Sequence, residues 1–162
     1  MSVPCRPVST MTTWDAITAA VGLALGGEPD RGREELMACW IATGESDAGQ
    51  RCVIAHYLAD LQSELADEVM WDERALDAHS RIQGSELAHV GIDDARGMAP
   101  SLHLNLVDGY LRQGETAVAR QHATAGVAMA DFLPDDGYGR LIRDGLDRLT
   151  TRIDNVSDNH ST

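Results

Sequence analysis

Two histidines and two aspartates are the residues of this chain whose types and spacing bear most directly on chemistry. His56 lies four residues before Asp60, and His103 lies five before Asp108. Residues i and i+4 share one face of a helix. There an imidazole and a carboxylate can hold a divalent cation, or the carboxylate can orient the imidazole for proton transfer. The commoner use of a surface histidine is a hydrogen bond to a neighbouring helix, and we read His56 and His103 that way. No metal and no cofactor is expected on that reading. The alternative is a metal-assisted or small-ligand enzyme site built from His56, Asp60, His103 and Asp108. The chain contains no H-E-x-x-H, no G-x-S-x-G and no glycine-rich phosphate loop. Asp135-Asp136-Gly137-Tyr138-Gly139 lacks the oxygen spacing and terminal Glu of a calcium loop and reads as a helix-capping turn.

Composition removes further classes. All 13 basic residues are arginine, so the chain has no ε-amine for Schiff-base, pyridoxal-phosphate or phosphate-loop chemistry. The 26 acidic residues leave a net charge of −13, a field that repels nucleic-acid backbones and anionic membranes. Neither partner is expected. Cys5, Cys39 and Cys52 form no C-x-x-C pair, and the last two sit in apolar runs. They read as reduced thiols in a reducing compartment. Met1–Thr10 has no apolar stretch of the signal-peptide kind, and a cytoplasmic location is the expectation.

The elements that must position these residues follow from periodicity. Trp14, Ile17, Val21 and Leu25 recur at helical spacing, as do Ile54, Leu58, Leu61 and Leu65, and Ile142, Leu146, Leu149 and Ile153. No segment alternates with period two. The pattern predicts an all-α chain with helices over 13–26, 30–43, 48–63, 65–82, 99–113, 115–132 and 137–154. Disordered tails are expected at 1–12 and 155–162. Gly26–Asp30, Gly114-Glu115 and Pro134–Asp136 carry turn and cap residues, with Asp30 expected as an N-cap. Short connections make consecutive helices antiparallel neighbours. The exception is Gly84–Gly97, rich in Gly, Asp and Ser, with a short helical turn expected at Glu86–Val90.

The chain also repeats. Leu58-Ala59-Asp60-Leu61-Gln62 aligns with Leu106-Val107-Asp108-Gly109-Tyr110, and the same offset, that from Asp60 to Asp108, continues through Trp71, Ala75 and Ala78 against Ala119, Ala123 and Gly126. A helix-pair repeat of about 34 residues leaves a remainder equal in length to Gly84–Gly97, which therefore reads as a loop inserted between repeats. Leu106, Tyr110, Gly114, Ala119 and Ala123 fall where the tetratricopeptide repeat places an apolar residue, an aromatic, a turn glycine and two small residues. Ala19-Ala20, Leu23, Gly27, Gly32 and Leu36 match more loosely. Together with Arg51–Gln62, Trp71–Leu76, Pro100–Asp108 and Pro134–Gly139, these segments resemble small tetratricopeptide-like proteins of actinobacteria. The resemblance implies a single domain over 13–154: a stack of three helical hairpins, with 84–97 inserted, and a C-terminal capping helix.

On that architecture Tyr57, Asp60, Ser101, Asn105, Asp108 and Arg112 belong to helices lining a concave groove. The expected function is a non-catalytic protein- or peptide-binding scaffold. Asn105 stands where a carboxylate-binding groove of such domains uses Asn, but Asp60 and Asp108 have the opposite sign from its cations. A basic segment is therefore the expected partner. Arg51, Arg112 and Arg143 are candidate anion ligands. The tryptophans read as core filling between helices. The N-terminal helix is apolar nearly all round, with Thr18 the sole polar side chain between Ala16 and Leu25. Self-association through it as a two-fold homodimer is the further expectation.

Overall fold

A computed structural model describes residues 10–160. Among these the chain is all-helical, with seven α-helices and no strand: α1 Thr10–Leu25, α2 Pro29–Ala42, α3 Ala48–Asp60, α4 Leu65–His79, α5 Ala99–Arg112, α6 Thr116–Ala128 and α7 Gly137–Asp158. Short 3₁₀ turns cover Glu86–Val90, Ala95–Met98 and Ala130–Phe132. Consecutive helices pack on each other, most extensively within α1–α2, α3–α4 and α5–α6, while α7 lies against α5 and α6.

Local chemistry fixes the boundaries. Pro29 opens α2 at its first position, where the missing N–H is no loss, so Glu28 rather than Asp30 is the N-cap residue. Asp136 caps α7 by accepting from the Gly139 amide at 2.9 Å, the role expected of that turn. Beyond Ala128 the chain tightens into the 3₁₀ segment, so α6 ends short of the expected 132. At the other extreme α7 runs past the expected 154 to Asp158. Arg120 of α6 explains the extension, since it donates to Asp154 at 2.7 Å and to Ser157 Oγ at 3.0 Å and ties those last turns down. Of the tail expected at 1–12, residues 1–9 lie outside the described residues and Thr10–Thr12 begin α1.

The core comes in parts. The largest cluster joins α1–α5 through Ile17, Leu36, Ile54, Leu58, Trp71 and Leu102. Two smaller ones lie under α7, around Leu149 and Ile153 and around Ile142 and Leu146. Full burial of each such side chain contributes about 1.5–3 kcal/mol. Trp14 and Trp71 are buried, and Trp71 meets Trp40 edge-to-face at 5.0 Å, so the tryptophans fill space between helices as expected. No helix among the described residues is long and apolar enough to cross a membrane.

Candidate functional site

One face of α1, α3 and α5 opens into a cavity of about 580 Å³. α1 contributes Ile17 and Val21, α3 contributes Val53, His56 and Tyr57, and α5 contributes Ser101. The opposite wall is Val90–Asp94 of the inserted loop, with Phe132 and Tyr138 at the far side. The loop is held there by specific contacts. Leu87 is buried in the main core cluster, and His79 Nε2–H donates to the Ala95 carbonyl at 2.6 Å. Gly49 lets the loop lie directly on α3, since a Cβ there would stand 2.9 Å from Glu86 Cβ. Asp94 accepts from the Arg96 backbone amide at 3.0 Å and from its guanidinium at 2.9 and 3.0 Å. Arg96 in turn lies 4.3 Å over the Phe132 ring.

The sequence-derived residues divide along this face. Tyr57 and Ser101 line the cavity, although the Ser101 hydroxyl is engaged by the Met98 carbonyl at 2.8 Å. Helical spacing carries the same face onward from Tyr57 to Asp60 and from Ser101 to Asn105, Asp108 and Arg112. There α4 adds residues that spacing alone did not single out. Asn105 reaches Asp72 at 3.5 Å, and Arg112 donates to Glu68 at 2.8 Å and to Asp108 at 3.4 Å. Asp72 is buried, and burial together with Asp60, Glu68 and Glu73 pushes its carboxyl up to about 7 against the Asn105 hydrogen bond. Burial also raises Asp60, with His56 opposing the shift. The result is an acidic cluster with one arginine bound into it.

The two His/Asp pairs do not combine. His56 remains beside Asp60 on α3, where burial lowers its pKa and Asp60 works against that. His103 instead faces α6, its Nδ1 3.1 Å from Nδ1 of His122. Glu73 of α4 stands 3.4 Å from the other side of His122 and accepts from the Tyr110 hydroxyl at 2.8 Å. Among the described residues no three His, Cys, Asp or Glu side chains gather as a metal-holding group, so His56, Asp60, His103 and Asp108 are not one centre.

The candidate anion ligands are also engaged internally. Arg51 donates to the Thr43 carbonyl at 2.9 Å and stacks 4.2 Å over Trp40. Arg143 closes the carbonyls of Ala130 and Leu133, at 3.2 Å each, and Arg112 is paired as described. Cys52 is buried, which pushes its thiol up to about 12 and leaves it inert at neutral pH. Comparison of the chain with family profiles, with characterised proteins and with solved structures returns no match.

Proposed function

We propose that the chain is a non-catalytic, cytoplasmic protein- or peptide-binding scaffold of the tetratricopeptide-like kind, holding a basic segment along the face of α3 and α5. The repeat is supported by burial. Gly32, Leu36 and Cys39 in α2, Trp71, Ala75 and Ala78 in α4, and Ala119, Ala123 and Gly126 in α6 are all buried at the same i, i+4, i+7 spacing. Gly27 and Gly114, equivalent turn positions in the first and third pairs, both have left-handed φ, +94° and +80°. Val53, Ile54, Leu58 and Ala59 in α3 are buried, as are Ser101, Leu102, Leu106 and Val107 in α5, in the register set by pairing Asp60 with Asp108.

The observation that carries the function is the continuous run from the open cavity to the acidic cluster. Glu68 raises the pKa of Asp60, Asp60 and Glu68 raise that of Asp72, and the guanidinium paired into this cluster among the described residues, Arg112, is shared between Glu68 and Asp108. Such a charge pattern selects a cationic partner and repels an anionic one. Titration of a fluorescent Arg-rich peptide and an acidic counterpart tests it. The basic peptide is expected to bind with a steep salt dependence, and Asp60→Asn/Asp108→Asn to weaken it roughly tenfold, about 1.4 kcal/mol. Equal binding of the two peptides, or an unchanged affinity in the double variant, overturns the reading.

A further inference from the structure

The inserted loop builds more than a repeat stack requires. Leu87 anchors it in the core, and Val90–Asp94 then stand as a wall facing α1 and α3. The enclosed volume of about 580 Å³ is that of a small-molecule site rather than a shallow groove. Its lining is largely apolar, with Ile17, Val21, Val53, Val90, Ile92 and Met98.

Two polar groups on this lining lack hydrogen-bond partners. Neither ring nitrogen of His56 hydrogen-bonds any described residue; Nδ1 is enclosed, so Nε2 is the ring nitrogen that a bound molecule can reach. Asp93 is exposed on the loop and makes no hydrogen bond or ion pair among the described residues, whereas its neighbour Asp94 is neutralised by Arg96. No arginine lines the cavity. The uncompensated charge there is negative.

We infer that the cavity is a binding site for an amphipathic organic amine, with an apolar, ring-sized body against Val53 and Ile92, its ammonium at Asp93, and a polar group of the body at Nε2 of His56. Carboxylate ligands such as fatty acids are excluded by the same charge, because nothing in the wall pairs with them. The cavity is one end of the face proposed to hold a peptide, and the amine site in it uses Asp93 and His56 rather than the carboxylates of the acidic cluster.

Tryptamine is a suitable probe, carrying an ammonium and an indole N–H, and indole-3-propionate is its anionic counterpart. Isothermal calorimetry on the full chain is expected to show saturable binding of tryptamine and none of indole-3-propionate. Asp93→Asn, a change at an exposed loop position, is expected to weaken tryptamine at least tenfold. Asp108→Asn, at a residue of the acidic cluster that does not line the cavity, is expected to leave it unchanged, which separates this site from the peptide groove. His56→Gln supplies a second arm, since NMR of the wild-type imidazole resonances on titration reads contact even where that variant folds poorly. No heat at millimolar tryptamine, comparable binding of indole-3-propionate, or full affinity in Asp93→Asn overturns the proposal.

Discussion

Nδ1 of His103 and Nδ1 of His122 lie 3.1 Å apart, so one ring donates and the other accepts, joining α5 to α6. The bond requires at least one neutral imidazole. Burial, then His122 and His79, hold His103 down at about 4. In the unfolded chain it titrates near 6.5, so between these values the unfolded state binds more protons and stability falls as pH drops from about 6.5 to 4. Screened by solvent at this partly exposed ring, a shift of this size corresponds to about 1–2 kcal/mol. Chemical denaturation from pH 7 to 4 is expected to show that loss, and His103→Gln to flatten it. An acid slope undiminished in His103→Gln places the sensitivity elsewhere.

Asp72 acts in the opposite sense. Its folded carboxyl titrates near 7 against an ordinary value of 3.8, so the folded state holds the extra proton across that interval and stability falls as pH rises through it. Asp72→Asn keeps the shape and the contact with Asn105 but removes the buried charge. A gain of about 1–3 kcal/mol at pH 8, vanishing near pH 4, is expected in urea melts. A loss at pH 8 would show that the carboxylate is required rather than tolerated.

Gly49 controls how closely the loop sits on α3. The Gly49→Ala methyl stands 2.9 Å from Glu86 Cβ, which lies next to the backbone and has little room to yield. A destabilisation of about 1–3 kcal/mol from overpacking is expected, concentrated in 84–97. Limited proteolysis followed by mass spectrometry should locate accelerated cleavage there, and cleavage spread evenly along the chain would contradict a local effect.

The homodimer expected from the sequence is tested on the outward face of α1 rather than on its buried stripe. Trp14, Ile17 and Ala20 of α1 face the core, with Ile17 completely buried. Ile17→Glu therefore unfolds the chain rather than testing an interface. The outward face carries Ala16 and Ala19, and Leu25 is 75% exposed at the end of the helix. Light scattering is expected to give the mass of two chains for the wild type and of one chain for Ala19→Glu/Leu25→Glu. A wild-type mass equal to that of a single chain at micromolar concentration rules out self-association through this face.

Periodicity was sufficient for the helices because each buries a stripe along its own length, and Ile54, Leu58, Leu106, Leu146 and Ile153 are buried as their spacing implies. The turn at Glu86–Val90 was legible for a similarly local reason. What spacing does not contain is which helix a polar side chain meets. His103 turned to His122 across the α5–α6 crossing, and Arg112 to Glu68 across α4–α5. Glu68 and Asp72 stand four residues apart on α4, a signal of the same kind as His56 and Asp60, but the burial of Asp72 depends on where α5 lies. The cavity was illegible because a loop wall follows from docking at Leu87 and Gly49 rather than from a periodic pattern.

The division of the core has an optical consequence. Trp14, Trp40 and Trp71 all belong to the large cluster, while the clusters beneath α7 contain no indole. Tryptophan fluorescence, excited where the tyrosines Tyr110 and Tyr138 do not absorb, therefore watches the first part of the chain and is blind to undocking of α7. Far-ultraviolet dichroism counts every helix alike. If α7 detaches before the remainder melts, the two signals give separate midpoints for one sample, and a free energy taken from tryptophan fluorescence alone describes α1–α5 rather than the whole molecule.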